Sequence, residues 1–283
     1  MFVFKAAVVG AGTMGGEIAH VIASAGIPVV LKDIDSDRLQ AGMAKARSLW
    51  QAQVNAGKLD GGELERRAAR ITPAITYADF GDVDLAIEAV PERMELKHAV
   101  FSELDEVTPG QAILASNTSA LSITEIGQAT IRPDKVVGLH FFFPASQSRL
   151  VEVVEGEDTS TETAQATAAF AQAIRKAPIR SADAPGFVVN RILNAGVSEL
   201  WRAQEESGTD VEEFDRIVGE ASPSKLGPFF IADVLGLDTV LHVAEHMRES
   251  YGERFHVHAT MRAHVEAGRL GAKTGRGFYD HGR

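Results

Sequence analysis

The sequence predicts an α/β protein: a doubly wound N-terminal domain with an all-α C-terminal domain. Short, nearly continuous apolar runs alternate with helical periodicity through the first half, as expected of a mostly parallel sheet covered on both faces. The first run ends in Gly10-Ala11-Gly12-Thr13-Met14-Gly15, a glycine corner between strand and helix. Beyond Ser181-Ala182-Asp183-Ala184-Pro185-Gly186 only helical patterns remain. That shift sets a boundary near residue 184 and gives domains 1–184 and 185–283.

Taken in order, Val3 to Val9 is a β-rich apolar run, and a helix is expected from about Gly12 to Ala25. Gly26 stops it, with Pro28 just beyond. Residues 28–33 read as the second strand, ending on Asp33, with Lys32 facing outward. Ser36-Asp37 starts a helix whose apolar positions Leu39, Met43, Ala46, Trp50 and Val54 follow the 3.6-residue period. It fades at Asn55-Ala56-Gly57-Lys58. Strands recur at residues 84–87, 112–115 and 136–140, separated by helical stretches, most clearly Arg93 to Val107. A further strand, Leu150 to Glu155, follows the Pro144 turn and is placed to pair antiparallel with the one before it. In the second domain, Val189, Leu193, Val197, Leu200 and Trp201 form one helical stripe, and Val234 to Met247 another.

Composition bounds the function classes. A chain of 283 residues, 45% hydrophobic, buries a sizeable core. The net charge of −11 argues against nucleic acid as a partner, though a local basic patch can still hold a small polyanion. With no cysteine, disulfides, thiolate metal sites and thiol nucleophiles are excluded. No basic leader or run of about 18 apolar residues points to export or a membrane. The expectation is a soluble cytoplasmic protein that binds no membrane and no metal.

The glycine corner makes the first domain Rossmann-type. Gly10 allows the tight turn, Gly12 admits a pyrophosphate to the backbone, and Gly15 lets the helix pack on the strand. The helix start at Thr13 and Met14 offers free N–H groups and a positive dipole end to phosphates. Asp33, at the end of the second strand, suits the hydroxyls of an adenine ribose and repels a 2′-phosphate, so NAD is expected over NADP.

Two polar residues sit inside otherwise apolar strands: His140 in Val136-Val137-Gly138-Leu139-His140 and Glu152 in Leu150-Val151-Glu152-Val153-Val154. A carboxylate among aliphatic residues needs a partner, and a histidine one hairpin away supplies it. Hydride removal from a carbinol carbon requires a base for the hydroxyl proton. A satisfied core histidine and a solvent-facing edge glutamate are the competing readings.

Ser116-Asn117-Thr118-Ser119, Leu139-His140-Phe141-Phe142, Leu150-Val151-Glu152-Val153 and Pro185-Gly186-Phe187-Val188-Val189-Asn190-Arg191 follow one another in this order. With Glu88-Ala89-Val90-Pro91-Glu92, Gly227-Pro228-Phe229, Gly236-Leu237-Asp238-Thr239 and the closing Lys273-Thr274-Gly275-Arg276-Gly277-Phe278-Tyr279, they make a sequence that resembles the L-3-hydroxyacyl-CoA dehydrogenases along nearly its whole length. The resemblance implies His140 as general base, Glu152 as its orienting partner, and Ser119 and Asn190 on the substrate oxygen and reacting groups. It implies Glu92 and Lys97 beside the cofactor ribose and nicotinamide. It also implies Lys58, near Arg47, Arg66 and Arg67, on the nucleotide end of an acyl-CoA, and a homodimer formed through the helical domain. Taken on their own, Ser119 reads as a helix cap, and Asn190 and Lys58 as solvated helix positions.

The chain departs from the family pattern in two places. Phe143 stands where an asparagine is usual, and the segment Ser222-Pro223-Ser224-Lys225-Leu226 differs, with Phe230 where an acid is common. The expected reaction is NAD-dependent oxidation of a 3-hydroxyacyl-CoA to the 3-oxoacyl-CoA, or its reverse. The same scaffold also admits a free hydroxy acid, as in gulonate or carnitine dehydrogenases, a carrier-protein-bound acyl group, or a non-catalytic NAD-binding protein.

Overall fold

The computed structural model describes residues 2–222 and 224–282, so Pro223 of the divergent segment lies outside the described residues. The chain divides into two compact units, Met1–Phe187 and Val188–Arg283. Among the described residues no helix is long and apolar enough to cross a membrane, and no group of His, Asp and Glu is placed to hold a metal.

The first unit is built on one eight-stranded sheet. In chain order its elements are β1 (Ala6–Val9), α1 (Thr13–Ser24), β2 (Val29–Lys32), α2 (Ser36–Asn55), α3 (Gly61–Ala68), β3 (Ile71–Ala74), β4 (Leu85–Glu88) and α4 (Met94–Val107). They continue as β5 (Ile113–Ser116), α5 (Ile123–Gly127), β6 (Val136–Phe141), β7 (Leu150–Glu155), α6 (Thr161–Ala173) and β8 (Ala177–Ala182). The strand order is β3-β2-β1-β4-β5-β6-β7-β8. Every pair is parallel except β6 with β7, which is antiparallel as the sequence suggests.

Alternation along each strand feeds two cores. Ala6 and Val8 join Ile18, Trp50 and Phe170 on one face, while Ala7 and Val9 join Phe101 and Ile126 on the other. Phe187 is buried in the second cluster, which is why Pro185–Phe187 fold with the first unit. The order of connections reverses between β1 and β4, which opens a crevice at their carboxyl ends, where ligands bind in such sheets.

The first strand starts later than expected, at Ala6 rather than Val3. The amides of Phe4 and Lys5 bond the Asp84 carboxylate instead of a ladder partner, and both Phe2 and Phe4 are exposed. Asp35 caps α2 by accepting from the Arg38 amide at 2.7 Å. Leu39, Ala46 and Trp50 are buried in that helix, while Met43 and Val54 pack at its margin. Lys32 is also corrected. It is buried, with Nζ 4.2 Å from the Tyr77 ring centroid, because Tyr77 covers the side chain on its face of the sheet.

The second unit is all-α, with α7 (Val189–Ser207), α8 (Val211–Ala221), α9 (Pro228–Leu235), α10 (Leu237–Tyr251) and α11 (Ala259–Glu266). Trp201, Phe229, Leu237, Leu241 and Met261 form its core. The expected stripe from Val234 to Met247 belongs to two helices. Gly236, at φ +97°, separates α9 from α10. Two buried carboxylates hold the unit's distinctive motifs. Asp215 accepts from the Phe229 and Phe230 amides, and Asp233 from those of Phe278 and Tyr279.

Candidate active site

The crevice at the switch point is a cleft of about 680 Å³ lined by Gly10, Gly12, Thr13, Met14, Lys32 and Asp33 among others. Gly10 sits at φ +101°, and a Cβ there would meet the Ala89 carbonyl oxygen at 2.6 Å. At Gly15 a Cβ would fall 1.7 Å from the Gly10 carbonyl oxygen. Only glycine allows this close crossing of β1, α1 and β4. Gly12, by contrast, faces open space and caps α1 with no side-chain bond. The first amides of α1 are therefore open to an anion. Asp33 fixes the loop from below. Its Oδ2 accepts the Ala11 amide at 2.7 Å and its Oδ1 the Ile34 amide at 2.7 Å. These residues fit a dinucleotide.

The second group lies at the ends of β5, β6 and β7. The β6–β7 register sets His140 opposite Glu152. Both are buried, and Nδ1 of His140 lies 2.7 Å from Oε2 of Glu152. On the other side of the ring, Nε2 is 3.1 Å from Oγ of Ser119. The rings of Phe142 and Phe187 flank the imidazole, with centroids 4.5 and 5.9 Å away. Ser119, His140 and Glu152 thus form one line of hydrogen bonds that starts at an exposed serine and ends at a carboxylate sealed from water.

Glu92 and Lys97, expected beside the cofactor, are paired with each other. Lys97 is only 1% exposed, and its Nζ bonds Glu88 Oε1 and Oε2 at 2.8 and 2.9 Å and Glu92 Oε2 at 3.2 Å. It is the counter-ion of a buried carboxylate. Glu92 braces the serine turn, accepting from Thr118 Oγ1 at 2.5 Å and from the Ser119 and Ala120 amides at 2.9 and 3.1 Å. Partial burial pushes its carboxyl up, but the Lys97 ammonium, the Thr118 hydroxyl and the Ser119 amide outweigh that and hold it below the usual carboxylate range.

Sequence reasoning missed Glu88, which accepts from Ser116 Oγ at 2.6 Å and the Val90 amide at 2.6 Å, and Asn117, whose Oδ1 accepts the Phe141 amide at 2.9 Å. The signal for Glu88 was of the kind that marked Glu152, an acid within an apolar strand. Asn117 was marked only as part of the Ser116-Asn117-Thr118-Ser119 signature, with no role of its own.

Lys58 lies exposed in the α2–α3 turn. The basic cluster expected around it is largely neutralised, because Arg47 pairs with Glu65, and Arg66 and Arg67 pair with Glu63. Phe143 is 64% exposed in the β6–β7 turn. Phe230 packs its ring against Tyr279 within the second unit. Asn190 lies in the first turn of α7, its carbonyl accepting from Asn194 Nδ2 at 2.7 Å.

Residues 5–184 match the family model "3-hydroxyacyl-CoA dehydrogenase, NAD binding domain", and residues 186–281 match "3-hydroxyacyl-CoA dehydrogenase, C-terminal domain". A fatty acid oxidation complex subunit alpha of Psychrobacter sp. is 41% identical over 281 residues, which are 98% of this chain and 38% of that protein. The chain thus spans under two fifths of the length of that relative. A solved 3-hydroxybutyryl-CoA dehydrogenase of Escherichia coli K12 superposes with a TM-score of 0.92 at 37% identity, covering 99% of this chain and 60% of that one. An (S)-3-hydroxybutyryl-CoA dehydrogenase of Ralstonia eutropha gives 0.92 at 36% identity, covering 99% and 100%. The chain belongs to the 3-hydroxyacyl-CoA dehydrogenase family, and its first unit is that family's NAD-binding domain.

Proposed function

We propose that this chain interconverts 3-hydroxyacyl-CoA and 3-oxoacyl-CoA with NAD, using His140 as the base. The observation that carries the reading is the unbroken line Ser119 Oγ, His140 Nε2, His140 Nδ1, Glu152 Oε2. NAD, when bound at the glycine corner, supplies the hydride acceptor for C3. Glu152 accepts a hydrogen bond from the Nδ1–H, which leaves Nε2 free to take the 3-hydroxyl proton. The imidazolium that results is stabilised by the same carboxylate. Ser119, within hydrogen-bond reach of Nε2, holds the reacting oxygen there and donates to it. In the reverse direction, His140 returns the proton to the new alkoxide.

Asn190 and Lys58 remain part of the proposal as contacts to the substrate's reacting end and its nucleotide. A homodimer is supported by the apolar residues that α7 to α9 expose, among them Ile192, Leu193, Val234 and Leu235.

The test is loss of NADH absorbance with acetoacetyl-CoA against free acetoacetate. The proposal expects turnover with the thioester to exceed that with the free acid by at least about 100-fold, as the remote binding energy of a carrier implies. Equal rates point to a free-acid enzyme, and no turnover with either to a binding protein.

Two substitutions probe the cofactor and substrate sides. Asp33→Ala removes charge-assisted bonds, so NADH affinity falls about tenfold or more in a fluorescence titration. Lys32 and Arg38 line the same cleft and favour a 2′-phosphate once the acid is gone, so the preference over NADPH narrows. A wild-type preference for NADPH overturns the assignment of Asp33. Phe143→Asn changes an exposed ring, so stability shifts by no more than about 0.5 kcal/mol, while kcat with a short acyl-CoA rises. A large loss of kcat would show instead that Phe143 packs on the substrate.

A further inference from the structure

The first unit has a second depression, of about 240 Å³, that shares no lining residue with the cofactor cleft. Arg67, Arg149, Arg175 and Lys176 line it, with His20 of α1. Four cations around one small concavity are unexpected on a chain of net charge −11. Arg149, Arg175 and Lys176 also line another shallow depression, so they form a rim and are not scattered over a face.

Their pairing differs from that of most arginines in the unit. In the same unit, the side chains of Arg38, Arg47, Arg66, Arg132 and Arg180 each hold a carboxylate. Those of Arg149 and Arg175 meet neither a carboxylate nor any hydrogen-bond acceptor among the described residues. Lys176 is buried and gives two of its three donors to the Ala145 and Ser148 carbonyls, leaving one. Among the described residues its nearby acid is Glu17, which is itself engaged by Lys45 and Ser146.

Arg175 adds an independent mark. It follows the end of α6 in the left-handed region, at φ +64°. Its amide donates to the Gln172 carbonyl and that of Lys176 to the Ala171 carbonyl, the paired bonds of a helix terminus that glycine ordinarily closes. A side chain here strains the backbone, and such strain is a pointer to use. The field of the cluster also reaches inward. His20 is pushed down to about 4, first by burial and further by the charges of Arg67 and Lys176.

We propose that Arg149, Arg175 and Lys176, with the Glu63-paired Arg67 at the border, form a binding site for a phosphate-bearing ligand, separate from the NAD site. Two planar guanidiniums without partners match the paired oxygens of a phosphomonoester or pyrophosphate. The ligand is either a free phosphorylated metabolite or the nucleotide end of a thioester substrate, since Gln53 of α2 and Arg67 of α3 also border the depression.

The experiment is calorimetric titration with inorganic pyrophosphate at constant ionic strength, with NAD saturating so that the glycine corner is filled. The wild-type protein binds pyrophosphate saturably, and Arg149→Gln/Arg175→Gly binds it at least about tenfold more weakly. Arg175→Gly alone relaxes the backbone and so keeps the fold; it weakens binding in the same direction. The KM values for acetoacetyl-CoA and acetoacetyl-pantetheine separate the sources. A rise in the double variant for the CoA ester alone assigns the site to the substrate's nucleotide. Unchanged values alongside lost pyrophosphate binding assign it to a free ligand. Absence of saturable binding, or equal affinity in the variants, overturns the proposal. The titration needs no turnover, so its failure is distinct from failure of the proposed reaction.

Discussion

His140→Ala lowers kcat with acetoacetyl-CoA by about 10²–10⁴-fold, the usual contribution of a positioned general base, while NADH affinity stays near wild type. The two effects separate because His140 lies at the ends of β5 to β7, whereas the glycine corner follows β1. Glu152→Gln keeps size and some hydrogen bonding but removes the charge that supports the imidazolium, so kcat falls severely there too. Glutamine can also present its amide to Nδ1, which favours the tautomer with the proton on Nε2 and leaves no base facing the substrate. The double variant is far less than multiplicatively worse than either single one, because both changes disable one proton-transfer device. Steady-state kinetics on folded variants decide it. Losses that multiply show separate roles, and near-normal turnover in His140→Ala ends the mechanism.

The pairing behind that expectation was legible in the sequence for a physical reason. A strand buried on both faces tolerates no lone charge, so His140 and Glu152 stood out against their apolar neighbours, and the antiparallel register brought them opposite each other. Interior strands were legible in the same way, because β1, β4 and β5 are buried at every position. The edge strands were not. In β3, Thr72 and Pro73 are exposed, and β8 includes Pro178 and alternates only weakly; edge positions tolerate both features. The surroundings of charges set by distant segments were not legible. Lys32 looked outward until β3 and Tyr77 covered it. Lys97 gave no sign in the sequence of the Glu88 and Glu92 carboxylates that enclose it. The motifs of the second unit drew attention as family marks, and several serve as backbone anchors for Asp215 and Asp233. Arg149 and Arg175 belong to no motif, and only the fold brings them to the same depression.

Lys97→Met destabilises the first unit by about 3–5 kcal/mol, the cost of leaving a buried ion pair with one partner. Glu88 is fully buried, and its carboxylate is held by the Lys97 ammonium at 2.8 and 2.9 Å, the Ser116 hydroxyl and the Val90 amide. Methionine replaces the stem of the lysine closely in volume, so little of the loss comes from packing. What remains is a carboxylate with two neutral donors and no counter-charge in the interior. Against a typical total stability of 5–15 kcal/mol, the loss is large enough to read as a lower urea midpoint at unchanged slope. Glu88→Gln/Lys97→Met recovers most of it, because removing both charges removes the uncompensated one. Glu92 gives the variant a second readout. It loses the Lys97 contact at 3.2 Å while still accepting from Thr118 and from the Ser119 and Ala120 amides. The serine turn then loosens, and kcat falls several-fold even where the protein is folded. A loss below about 1 kcal/mol would show that Glu88 does not depend on Lys97 for its charge. A full loss that the double variant fails to recover would place the effect in the packing of the lysine stem instead.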